Sequence, residues 1–121
     1  MSAFHDLGKV EPQQIWEGAV GRTVHGERVT LTLVELDPGT VVPQHHHENE
    51  QHGIVISGSL TFTVGDETRD VGPGHAWCIT ANVPHSVEVG PDGAVLVEVF
   101  SPIRSDWANL QPAAPRDPRW P

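Results

Sequence analysis

Eight consecutive residues, His45-His46-His47-Glu48-Asn49-Glu50-Gln51-His52, hold four of the chain's eight histidines, two acids and two amides. Imidazole nitrogens and amide or carboxylate oxygens at this density are the donors of a site for a borderline divalent ion. In an extended strand successive side chains point to opposite faces, so His45 and His47 share one face and His46 takes the other. A turn over 48–50 brings Gln51 in as an oxygen donor, and His85, in Val83-Pro84-His85-Ser86, offers a third imidazole from a distant strand. Three neutral nitrogens and one amide oxygen suit one divalent transition metal: zinc, iron, manganese, nickel or cobalt. In an octahedral or five-coordinate shell, four protein donors leave positions open for water or substrate.

The elements that must position these donors read as strands. Apolar residues alternate with threonines in Arg28–Leu36 and again in Leu60–Val64, and period-two alternation marks half-buried strands. Further strands are expected at 13–16, 20–25, 41–47, 51–56, 75–80, 85–89 and 94–100. Turn signals separate them: Asp37-Pro38-Gly39, Gly58, the hairpin pair Gly65-Asp66, Gly72-Pro73-Gly74 and Pro91-Asp92-Gly93. Short strands at this spacing predict an all-β sandwich or barrel. The expected division is an N-terminal arm or edge strand over 1–18, a barrel over 19–104 and a proline-rich tail over 105–121. Ser105 is the expected N-cap of one helical turn, and the tail is expected to pack only if Trp107 or Trp120 anchors it.

The bulk numbers narrow the partners. With 121 residues, one domain is expected. A formal net charge of -9 argues against nucleic acid and anionic membrane surfaces, both of which need basic patches. The single cysteine, Cys78, excludes an internal disulfide and is read as a small buried side chain. There is no apolar run of the ~20 residues a membrane span needs and no secretory pattern at the N-terminus, so the expected location is cytoplasmic.

The spacing Gly39-x5-His45-x-His47-x3-Gln51-x6-Gly58, followed by Gly74-x5-Thr80-x-Asn82-x2-His85, resembles the paired motifs of the cupins. Gln51 stands where glutamate is usual, Thr80 where proline is usual and Asn82 where glycine is usual. The resemblance implies a double-stranded β-helix, or jelly-roll barrel, with a metal on His45, His47, Gln51 and His85. Glu50 competes with Gln51 but is out of register. The segment Glu98-Val99-Phe100-Ser101-Pro102-Ile103-Arg104 is similar to the end of the last strand in KdgF-like cupins, which linearise 4,5-unsaturated uronates. That similarity implies that Phe100 and Arg104 bind substrate, with Glu98, in place of aspartate, as proton shuttle. A structural ion pair between Glu98 and Arg104 is the alternative. Trp77 and Phe62 are expected in the core or pocket wall, Trp16 against the N-terminal strand, His52 outside, and His75 in a turn or as an extra base. The implied function is isomerisation or ring-opening of a small polar or anionic carbonyl or sugar-acid substrate. A polyketide cyclase, an iron dioxygenase and a non-catalytic metal- or sugar-binding cupin stand as alternatives. Edge strands need cover, and an arm over 1–16 crossing to a second copy predicts a homodimer.

Overall fold

The computed structural model describes residues 2–120; Met1 of the predicted arm and Pro121 of the predicted tail lie outside the described residues. Eight strands follow in order: β1 Gln13–Trp16, β2 Ala19–His25, β3 Thr30–Leu36, β4 Val41–His45, β5 Glu50–Val64, β6 Glu67–Val71, β7 Ala76–Ile79 and β8 His85–Ser101. They pair antiparallel in the order β1-β2-β3-β8-β5-β6, with β4 also on β8 and β7 also on β5. Among the described residues the helical segments are two 3-10 turns, Leu7–Lys9 and Ser105–Asn109, and no helix is long and apolar enough to cross a membrane.

Two long strands close the barrel. The first part of β8 pairs with β4 and with the end of β5 (His45↔His85, Val64↔His85), and its second part pairs with β3 and the start of β5 (Thr30↔Phe100, Gln51↔Phe100). The turns expected at Gly58 and at 91–93 are therefore bends inside continuous strands. The register slips between Val55 and Ser57 and again between Gly58 and Leu60. Gly58 sits at a φ of 79° with its α-carbon against the Gly93 carbonyl, where any β-carbon would collide. A bulge at a crossing this close bends a strand without reversing it. The Gly65-Asp66 hairpin forms as expected, with Val64 opposite Glu67.

The buried core, including Val55, Leu60, Val89 and Ala94, fills the barrel interior; Val34, Leu36, Val42, Phe62, Val87 and Leu96 belong both to it and to the wall of a cavity. On β3 the threonine face turns inward. Thr30 and Thr32 are fully buried while Val29 and Leu31 are exposed, because Thr30 and Thr32 lie opposite the inward-facing Phe100 and Glu98. Their hydroxyls are satisfied: Thr30 accepts the Arg104 backbone N–H at 2.9 Å, and Thr32 bonds Thr23 at 2.9 Å.

The C-terminal segment packs along β1 and over Arg22 and Glu35 of β2 and β3. Ser105 does not cap its turn; Arg104 occupies the N-cap position without a side-chain bond, since its guanidinium is engaged elsewhere. Trp107 is buried, and beyond it the anchors are arginines. Gln14 donates its N–H to Gln111 and Ala113 donates to Pro12, so the free edge of β1 is covered by the chain's own tail. Arg116 forks onto Glu35 at 3.0 and 2.9 Å, and the Arg119 N–H reaches the other oxygen at 2.8 Å. Glu35 is fully buried, with Arg22 3.5 Å away. Burial alone would push its carboxyl up, but the Arg119 N–H and the Arg116 guanidinium outweigh burial and hold it below the usual range.

Candidate metal centre and cavity

His45 closes β4, His47 follows it by two residues, and His85 opens β8 directly opposite His45. One nitrogen from each ring lies within 4.8 Å of the others. All three rings are held in the same way. Nδ1 contacts a backbone carbonyl two residues away: Pro43 for His45 at 2.8 Å, Asn49 for His47 at 3.0 Å, and Val83 for His85 at 2.9 Å. A carbonyl only accepts, so each Nδ1 carries the hydrogen and each neutral ring presents a bare Nε2. Burial disfavours the imidazolium and lowers all three pKa values, that of His85 to about 4.

Gln51 is buried near the start of β5, opposite Phe100 and Ile79. Its Nε2 donates to Glu98 Oε2, and the amide oxygen then lies 3.0 Å from His47 Nε2. Trp77 Nε1 donates to the same Glu98 oxygen at 3.1 Å. The indole lies across Gly53, where a β-carbon would come within 2.5 Å of the ring. Gly53 is thus what lets Trp77 reach Glu98.

This network tests whether the residues fit a metal ion. His47 Nε2 and Gln51 Oε1 are both acceptors with their donor sides already used, yet they face each other at hydrogen-bond distance. Among the described residues His85 Nε2 is buried with no hydrogen-bond partner. Leaving a buried polar atom unsatisfied costs about 1–3 kcal/mol, and lone pairs converging at such distances call for a cation. The three imidazoles and the amide oxygen fit a borderline divalent ion, and the backbone carbonyls behind each ring fix its tautomer and aim, as outer partners of metal-bound histidines do.

The cavity beside this cluster has a volume of about 280 Å³ and is lined by His45, His47, Gln51, His85, Glu98 and Arg104 among others. Glu98 is buried, and burial pushes its carboxyl pKa up. Arg104 is held by three partners. Asp106 takes its Nε at 3.0 Å and its Nη2 at 2.9 Å, and the guanidinium lies over Phe100 at 4.8 Å and Trp107 at 4.3 Å. The ion pair of Arg104 is therefore with Asp106, and the Glu98 carboxyl is bonded to Gln51 and Trp77. Phe100 meets the His47 ring edge-on at 5.7 Å. Phe62 lines the cavity, while Trp77 stands behind Phe62 at 4.9 Å.

Other residues sort by face. His46 is exposed. Glu50 and His52 are exposed on the outer surface, joined at 2.9 Å. His75 is a turn residue whose Nδ1 accepts the Gly72 N–H at 2.8 Å. The Trp16 ring packs on His45 at 5.2 Å. Cys78, expected to be buried, is exposed. Trp77 is the residue of β7 that turns inward over Gly53, so its neighbour Cys78 turns out, 3.4 Å from His52.

Two contributors were not evident from sequence. Asn49 is buried and donates to the Pro102 and Ile103 carbonyls at 2.7 and 3.2 Å, tying the His47 loop to the segment that carries Arg104. An asparagine among acids reads as loop polarity, and nothing local marks that long-range bond. Asp106, two residues after Arg104, is an ordinary charged spacing until the 3-10 turn brings the pair together.

Residues 32–100 match the family described as "Cupin domain". The chain is 36% identical over 84 residues to H2HPP isomerase of Bacillus subtilis, covering 67% of this chain but only about a third (35%) of that protein. It is 30% identical over 78 residues to the pectin degradation protein KdgF of Dickeya dadantii, covering 64% of this chain and 71% of that one. The solved structure of KdgF from Halomonas sp. superposes with a TM-score of 0.80 at 24% identity, covering 88% and 98% of the two chains. With paired His motifs on a barrel whose two longest strands serve both of its halves, and a family match over more than half its length, the chain belongs to the cupin family.

Proposed function

We propose that this protein is a metal-dependent enzyme that isomerises or ring-opens a small anionic sugar acid or related carbonyl compound. The observation that carries this reading is one continuous line in one cavity: Glu98 accepts from the Gln51 Nε2, the oxygen of that same amide lies 3.0 Å from His47 Nε2 in the donor cluster, and Arg104 lines the same space. His45, His47, Gln51 and His85 would hold the ion, and a divalent ion there supplies a Lewis acid for a substrate oxygen.

The chain's own residues do the rest. Both donors to Glu98 act on Oε2, which leaves Oε1 to exchange a proton with substrate. A carboxyl with a raised pKa is suited to that work near neutral pH. For an unsaturated uronate, Glu98 takes the proton of the hemiacetal hydroxyl as the ring C–O bond opens. It returns that proton to the ring carbon as the enol becomes a ketone, so the reaction is a net isomerisation. Arg104 binds the substrate carboxylate, which replaces Asp106 at the guanidinium fork; Asp106 is 60% exposed and free to yield. The cavity of about 280 Å³ is at the small end of ligand sites. That supports a monomeric substrate over an extended polyketone. The relatives' names, a pectin degradation protein and an isomerase, support the same class.

The test is turnover of a 4,5-unsaturated uronate by metal-loaded protein, followed by loss of the alkene absorbance. Expected are dependence on added divalent metal, abolition by chelator, and loss of about 10²-fold or more in kcat in Glu98→Gln, in line with general acid–base contributions. Protein that binds metal yet leaves the uronate untouched refutes the reading. Oxygen consumption or aromatisation of a polyketone by the same preparation would put a dioxygenase or cyclase in its place.

A further inference from the structure

The outer face of the sheet carries a second convergence of donors. Because Gln51 points inward, its neighbours Glu50 and His52 both point outward, and register places Cys78 of β7 directly opposite His52. His52 Nε2 lies 2.9 Å from Glu50 Oε2 and 3.4 Å from Cys78 Sγ. One ligand atom from each of the three residues lies within 4.8 Å of the others.

This is not the geometry of a Cys-His-Glu relay. A relay needs the acid on one ring nitrogen and the thiol on the other, whereas here both contact the same Nε2. That nitrogen has at most one hydrogen and cannot donate to both. Convergence of sulfur, nitrogen and carboxylate oxygen on one point is instead the pattern of three ligands around an ion. Tetrahedral zinc with bonds of about 2.3 Å to sulfur and about 2.0 Å to nitrogen and oxygen spaces its ligand atoms roughly 3.3–3.6 Å apart. The two separations at His52 Nε2, 2.9 Å to Glu50 and 3.4 Å to Cys78, are a few tenths of an ångström from that, on two paired strands that fix the backbone. His52 and Glu50 are 55% and 52% exposed, so the remaining coordination position opens to solvent.

We infer that Glu50, His52 and Cys78 form a second, outer site for a thiophilic divalent ion of the zinc class. Thiolate separates its preference from that of the inner cluster, whose donors are nitrogen and oxygen only. On binding, the sulfur–hydrogen bond breaks, a metal–sulfur bond forms, and the proton leaves to water. The inference is independent of the reaction proposed for the cavity.

Cobalt(II) titration of the full chain tests it, because only the outer cluster can give a sulfur-to-cobalt charge-transfer band. The band is expected in the parent and in Gln51→Ala, absent in Cys78→Ser, and shifted to at least tenfold higher cobalt in His52→Ala. Since Cys78 is the sole cysteine, alkylation reads it alone; zinc is expected to slow alkylation at least tenfold in the parent and to have little effect in His52→Ala. No charge-transfer band in the folded parent, a band unchanged in His52→Ala, or an alkylation rate indifferent to zinc overturns the assignment.

Discussion

Removing metal with a chelator and then lowering the pH should expose the strain carried by His85. In the folded protein burial holds its pKa at about 4, against 6.5 for the ordinary imidazole. Between those values the unfolded chain binds a proton that the folded protein refuses, so stability is fully present above pH 6.5 and falls as the pH drops toward 4. At 1.36 kcal/mol per pH unit the gap amounts to about 3 kcal/mol, a large share of the roughly 5–15 kcal/mol of a typical domain. His45, His47, Glu35 and Asp106, all shifted down, push in the same direction. Glu98, shifted up by burial, opposes them. Comparison with His85→Asn, which keeps an N–H for the Val83 carbonyl, isolates the one residue. Urea unfolding of both metal-free proteins at pH 7 and pH 4 should show the parent losing about 3 kcal/mol more than the variant. Parallel pH profiles would refute the placement of a neutral His85 in a dry site.

Glu35→Gln leaves Arg116 and Arg22 facing a neutral amide beneath the C-terminal tail, and a loss of about 3–5 kcal/mol in chemical denaturation is expected, with faster proteolysis of residues 111–120. Gly53→Ala drives a methyl into the Trp77 indole, so a destabilisation of about 1–3 kcal/mol should come with altered tryptophan fluorescence and a drop in kcat, from loss of the Glu98 bond. The exposed Val29, Leu31 and Ile54 present apolar sheet surface, and light scattering should give twice the chain mass; a monomer mass would rule out the homodimer.

Alternation along an extended backbone is enforced by local sterics, and it was readable residue by residue. His52 points away from the inward Gln51, and Glu98 and Phe100 line one wall, because neighbouring side chains on a strand cannot point the same way; the strand expected over 41–47 ends at His45, and the backbone just beyond it still brings His47 beside His45. Turn chemistry was equally local at Gly65-Asp66. Where one backbone crosses another, local reading fell short: Gly58 and Gly93 permit a close crossing, so the expected turns became bends in two long strands.

Donor types, their spacing and the all-β barrel are written in short windows of the chain, since side-chain periodicity and glycine placement act within a few residues. Long-range strand pairing sets His85 opposite His45, ties the His47 loop to the Arg104 segment through Asn49, and gives the Arg104 charge to Asp106 rather than Glu98. It also turns Cys78 outward beside His52 and anchors the tail through arginines on a buried Glu35. These outcomes depend on which distant strands pair and what then covers them. That is settled by burial and charge neutralisation across the closed barrel, and no short window of sequence contains it.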